Sequence, residues 1–303
     1  MAAGNRKTGR IVTHLVQVVI LGLLLGGVYA LMASGLTLMF GVMRIVNLAH
    51  GVFIIAACFV AFFLFQGPGW DPFASIAVTM PLFFLIGVGV YTALFPRIEG
   101  SARFTEMTVL LTFALALIAE GLLSYFFTGT VRSTDPSYKT DAILLGDFFI
   151  PTAQLLSSIT SLVLLIGLWA FLYFTRTGYA VRATMQNRTA AQIVGVNVRR
   201  VSTISFGIGM ALAGASGSLI SFLFPFFPAR HWQWIAILLA LIVLGGLGSL
   251  KGAVVGALLL AVAAGIVSDQ FGPTWSPMTF FGALFLILLI RPQGLFGHQA
   301  RVG

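Results

Sequence analysis

Uninterrupted apolar runs about as long as a bilayer is thick set the first limit on this chain. Residues 107–127 and 151–174 each supply the roughly 20 residues that a helix rising ~1.5 Å per residue needs to cross ~30 Å of hydrocarbon. Lipid offers the backbone no hydrogen-bond partner, so a spanning run must be a helix or part of a closed barrel. The alternating stretches of about ten residues that a barrel needs are absent. Composition agrees, with 59% hydrophobic residues, 8% charged residues and a mean hydropathy of +1.03, far outside the soluble range. The expected fold class is all-α: a polytopic helical membrane protein with eight to ten membrane segments, in a single transmembrane domain over residues 1–303.

A net charge of +9 would suggest nucleic acid in a soluble protein, but here the basic residues are divided among short segments between apolar runs, as the positive-inside rule requires. No nucleic-acid partner is expected. Cys58 is alone, so neither a disulfide framework nor a metal cluster can be built on cysteine. The apolar runs cover about 11–41, 45–65, 74–95, 107–127, 151–174, 201–223, 233–247, 253–268 and 278–290. Placing the basic segments 97–103, 176–200, Lys251 and 291–301 in the cytosol leaves Asp71, Asp135, Asp141, Asp147 and Asp269 outside, against Arg132, Lys139 and Arg230. The C-terminus is then cytosolic and 128–150 is an extracytoplasmic loop. Arg6, Lys7 and Arg10 before the first run resemble a secretory signal, but the apolar stretch continues to Phe40, so it reads as an uncleaved first span. Counting back from Arg97 leaves a conflict, because one span over 11–41 puts this basic N-terminus outside. Gly26-Gly27 and Gly35 interrupt the run, and a broken or re-entrant piece there would restore an inside N-terminus.

Polar residues within the apolar runs are few. Asn47-Leu48-Ala49-His50-Gly51 forms a polar knot, and Asn and His in lipid must face protein or water. Asn47 and His50 either line a cavity or act as hydrogen-bonding glue between helices. Glu120 is the carboxylate inside an otherwise apolar run, about 4–5 Å from the bilayer centre, with Thr112 and Ser124 expected on its face. It is a pathway candidate or a structural acid. The run from Gly245 to Gly252 superficially resembles a phosphate loop, yet Gly252 follows Lys251 where Ser or Thr is needed, so a tight cytosolic turn is expected instead. His14, His231 and His298 are scattered, and no nucleophile triad, HExxH or acid pair appears. The chain is not expected to be an enzyme or to hold a cofactor or metal.

Residues 176–200 are basic and amphipathic. Thr177-Gly178 breaks the preceding span, 180–194 reads as a short helix, Gly195 ends it and Arg199-Arg200 mark re-entry to the membrane. A stripe of small or weakly polar residues runs Ala183, Asn187, Ala190, Ala191 and Val194, with Arg182, Gln186 and Thr189 on a more polar face. Membrane lipids with anionic headgroups would satisfy the charge. Alanines bury little in lipid, however, and suit close docking into a protein groove.

The pattern Gly178-Tyr179-Ala180-x-Arg182-Ala183-x-x-x-Asn187-x-x-x-Ala191-x-x-x-Gly195-Val196 resembles the coupling loop of ABC importer permeases of the branched-chain amino acid type. Gly27-Val28-Tyr29-Ala30-Leu31, the polar knot, the glycine series 245–256 and the ending Arg291-Pro292-x-Gly294-Leu295-x-Gly297 agree with it along nearly the whole chain. Val52 departs from the acidic or polar residue common in that family after the knot. The resemblance implies a permease subunit in a bacterial inner membrane, paired with a second related permease, two cytosolic ABC ATPases that hydrolyse ATP, and an extracytoplasmic substrate-binding protein. It further implies ATPase coupling through Gly178, Arg182, Ala183, Asn187, Ala191 and Gly195, and a substrate pathway near Asn47, His50 and Glu120. Branched-chain or related small amino acids are the expected cargo, with urea, short amides or aromatic acids as alternatives. An ion-coupled secondary transporter and a membrane scaffold are the rival classes.

Overall fold

A computed structural model describes residues 2–291 and 293–297, with side chains from Val12 onward. Pro292 and residues 298–303, which include His298 and carry part of the closing motif and of the C-terminal placement, lie outside the described residues. So do the side chains of Arg6, Lys7 and Arg10. The helices are α1 (Ala2–Met43), α2 (His50–Gln66), α3 (Pro72–Leu94), α4 (Phe104–Phe127), α5 (Thr152–Phe174), α6 (Arg176–Gln186), α7 (Arg188–Ile193), α8 (Val198–Leu223), α9 (His231–Gly245), α10 (Leu250–Phe271) and α11 (Ser276–Ile290). Among the described residues, eight candidate spans are long and apolar enough to cross a membrane, and α2 is a shorter apolar helix. This multi-pass helical bundle is the class expected from the apolar runs.

The bundle has two unlike ends. At one, the antiparallel strands β1 (Ala142–Leu145) and β2 (Phe148–Pro151) form a hairpin, and His14 of α1 pairs with Asp269 of α10 at 2.8 Å while Gln17 bonds the Phe149 backbone. Tyr138 donates to Asp71 at 3.2 Å there; burial first, then this carboxylate, pushes its phenol far above the usual range, so its hydroxyl stays a donor. The other end holds α6 and α7, the Arg97–Glu99 turn tied to Arg188, the α9–α10 turn and residues 294–297, whose Leu295 and Phe296 N–H groups bond the Leu244 and Gly245 carbonyls. The basic segments 97–103 and 176–200 and Lys251 therefore gather at this end, as the charge pattern requires.

The first helix corrects an expectation. It runs unbroken through Gly26, Gly27 and Gly35, and its His14–Gln17 portion lies at the hairpin end, opposite α6 and α7. The glycines do not break it, because in lipid a helix that opened would lose hydrogen bonds it cannot replace. They admit neighbours instead: a Cβ on Gly27 would lie 2.7 Å from the Ser158 hydroxyl. Where α1 crosses α8 the approach is reciprocal, with a Cβ on Gly35 2.8 Å from the Gly209 carbonyl oxygen and one on Gly209 2.7 Å from that of Gly35.

The break falls after α1, over residues 44–49. Arg44 turns with φ +58, and the loop then runs back into the bundle, so that α2 starts with His50 beside Gly35. α9 also starts inside the bundle, after an extended return in which Phe226 bridges to Arg132 and Phe227 stays extended. The plan α1–α2–α3–α4 thus recurs with reversed direction as α8–α9–α10–α11. α3 packs along α8, and α10 along α1. α8 forms the core, with 89% of its apolar window buried.

Candidate functional site

The candidate docking segment is an elbow of two short helices. α6 starts at Thr175, whose hydroxyl accepts the Gly178 N–H at 2.9 Å. Gly178 lies so close to α5 that a Cβ there would sit 2.1 Å from the Phe171 carbonyl oxygen. Arg182 reaches back to the same helix end, donating to the Leu172 carbonyl at 3.0 Å with its guanidinium 4.2 Å from the Tyr173 ring centroid. A cation over the last carbonyls of α5 also answers that helix's dipole.

The expected single helix over 180–194 is divided. Asn187 turns extended (φ −153, ψ 107), ends α6 and caps α7 by accepting the Ala190 N–H at 3.0 Å. A side-chain oxygen that can take a backbone N–H favours a cap over a helix interior, so the chain bends there. α7 closes on Gly195 at φ +88, where the Gly195 and Val196 N–H groups bond the Gln192 and Ala191 carbonyls. Ala191 is buried, and α7 lies against α8. Ala183 is half-buried.

Of the anticipated coupling residues, Gly178 and Ala191 are buried, Arg182 and Ala183 half-buried, and Asn187 and Gly195 exposed. The elbow's exposed surface includes Gln186, Asn187, Thr189, Ala190, Gln192, Ile193 and Val194, and the last two are 81% and 77% exposed, with Arg199 and Arg200 exposed at the start of α8. The sequence reading missed Ile193 as a surface residue. Two adjacent exposed aliphatics at the end of a basic, otherwise small-residue segment were the available signal.

Deeper in the bundle, Asn47 closes the break before α2. Its side-chain oxygen accepts the Ala49 N–H at 3.1 Å, its amide reaches Met39 Sδ at 3.5 Å, and its carbonyl accepts the His50 N–H at 3.2 Å. Thr112 of α4 completes the repair, accepting from the Leu48 N–H and donating to the Val46 carbonyl, both at 3.3 Å. Irregular backbone at this depth is thus satisfied by two side chains. His50 is fully buried, and neither ring nitrogen has a hydrogen-bond partner among the described residues.

Glu120 does not meet that knot directly. Its carboxylate accepts from His231 Nε2 and Trp232 Nε1, each at 3.1 Å, and so pins α4 to the start of α9. Ser124, expected on the same face, is exposed. Each four-residue step drifts about 40° around a helix, so Thr112 and Glu120 still face inward while the next step turns out. α2 and α9 touch at Gly51, where a Cβ would lie 2.7 Å from the His231 carbonyl oxygen. His231 and Trp232 were not anticipated here, because nothing local to them distinguishes an outer-loop histidine from one folded into the bundle. The turn over 245–252 joins two helices and carries φ +101 at Gly246 and +81 at Gly248, with Ser249 capping α10.

This polytopic helical bundle, with two helices starting at its centre, is a transport permease component by its family match. The chain belongs to the branched-chain amino acid transport system permease component family, whose profile matches residues 18–289. It is similar to the probable branched-chain amino acid transport permease protein LivH of Methanocaldococcus jannaschii, at 29% identity over 88% of this chain and 88% of that protein. It is also similar to the high-affinity branched-chain amino acid transport system permease protein BraD of Pseudomonas aeruginosa, at 28% identity over 94% and 96%. A shorter likeness, 31% over 39% of this chain and 28% of its partner in the match, is to the permease protein LivM of Escherichia coli K12. No solved structure matches.

Proposed function

We propose that this chain is a permease subunit of an ABC importer in a bacterial inner membrane, moving branched-chain or related small amino acids. The elbow end faces the cytosol, residues 128–150 lie outside, and a second related permease completes the membrane domain. Two cytosolic ATPases hydrolyse the ATP, and an extracytoplasmic binding protein delivers substrate. The names of the related proteins support the cargo, and the likeness to two differently named permeases supports a paired membrane domain.

The observation that carries the reading is the elbow's fastening. Gly178 and Arg182 lock α6 to the end of α5, and the Gly195 turn closes α7, which lies against α8. A partner gripping Ile193 and Val194 would therefore move two spans as one body. Arg188, bonded to Glu99 at 2.8 Å, extends that link to the turn between α3 and α4. Because both α2 and α9 start within the bundle, a small shift of α4 or α8 changes what those helix starts enclose. Asn47, His50 and Glu120 lie at or beside these starts.

Uptake of labelled leucine into proteoliposomes holding the full complex tests this. Uptake should require ATP and the binding protein and be indifferent to proton or sodium gradients. Gradient-driven uptake without ATP would refute it in favour of secondary transport.

A further inference from the structure

Arg230 fits none of these roles. It stands at the N-cap position of α9 without a side-chain capping bond, within the candidate span Pro228–Gly245, is half-buried, and joins no ion pair among the described residues. Its buried Nε finds no hydrogen-bond partner. A guanidinium in a membrane domain is costly and is ordinarily answered by an acid. Glu120, the carboxylate in the same layer, is already engaged by the next two residues, His231 and Trp232.

A second unanswered donor stands one turn further along α9. Trp234 is 3% exposed, yet its indole N–H has no partner. Tyr29 of α1 flanks this donor, its ring edge-on to Trp234 with centroids 6.1 Å apart. The start of α9 adds the positive end of a 15-residue helix. All of these groups donate or carry positive charge, so the partner they lack is a small anion.

We propose that Arg230 binds the carboxylate of the amino acid in transit, with the Trp234 N–H as second donor and Tyr29 as the flanking wall. The assignment rests on the amino-acid permease reading above. It gives the α-carboxylate, which every amino-acid cargo carries, a fixed contact and leaves the side chain to the apolar surroundings. A carboxylate supplied instead by the second permease would present the same chemistry, and the test separates the two sources.

The complete complex is reconstituted as wild type, R230Q, R230K and W234F, and leucine uptake, basal ATPase activity, subunit co-purification and thermal midpoint are measured. R230Q should lose about tenfold or more of uptake, the scale of one charge-assisted hydrogen bond, while R230K keeps part of it. W234F should lower uptake severalfold with its midpoint unchanged or raised, because it removes a donor that the protein leaves unpaired. Basal ATPase and co-purification should stay at wild-type levels in all three. Unchanged uptake in R230Q overturns the proposal, and so does loss of the second permease from R230Q, which would make Arg230 an interface contact. A wild-type complex that carried only uncharged solutes such as urea would overturn the amino-acid reading itself, and this site with it.

Discussion

Gly178 is the residue at which the elbow is least tolerant. Alanine there places a methyl carbon 2.1 Å from the Phe171 carbonyl oxygen, and backbone on both sides must move. G178A should cost about 1–3 kcal/mol, the usual penalty of overpacking, read as a lowered thermal midpoint of the purified permease. Glu120 gives a second comparison. E120L strands the His231 and Trp232 donors and should destabilise by about 1–3 kcal/mol, whereas E120Q keeps an acceptor oxygen and should unfold close to wild type. Equal midpoints for E120L and wild type would show that the carboxylate holds nothing. Ala191, attractive from the sequence as a docking contact, is buried, so a bulky residue there would damage the elbow before it disturbed any partner.

At the scale of elements, the elbow was half legible. Period and composition over 180–194 identified a helical, cytosol-like segment between two spans, and Gly195 marked its end. They did not reveal the bend, because Asn187 is acceptable in a helical pattern and only its bond to the Ala190 N–H makes it a cap. Removing that bond as N187A should cost about 1 kcal/mol and speed amide exchange over 190–195 by roughly fivefold. Exchange rates equal to wild type would mean that α7 is held by α8 alone. The broken start of α2 was legible as a polar knot at Asn47 and His50. Its repair by Thr112 was not, since that pairing joins residues 64 and 66 positions apart.

For the whole molecule, the nine apolar runs correspond to nine apolar helices among the described residues, and the gathering of the basic segments 97–103 and 176–200 at one end followed from counting alone. The N-terminal direction did not, because glycines that serve close packing were read as breaks. With α1 continuous, His14 and Gln192 fall at opposite ends. In intact cells H14C should react with a membrane-impermeant maleimide and Q192C should not; labelling of both, or of Q192C alone, would reverse or refold this topology. The account's central claim is that energy enters through the elbow, and the ratio of ATP hydrolysed to leucine transported measures it most directly. In proteoliposomes with the complete complex, I193D/V194D should raise that ratio about tenfold or more by cutting uptake, with the permease itself folded. A variant with the wild-type ratio and wild-type uptake would contradict the claim.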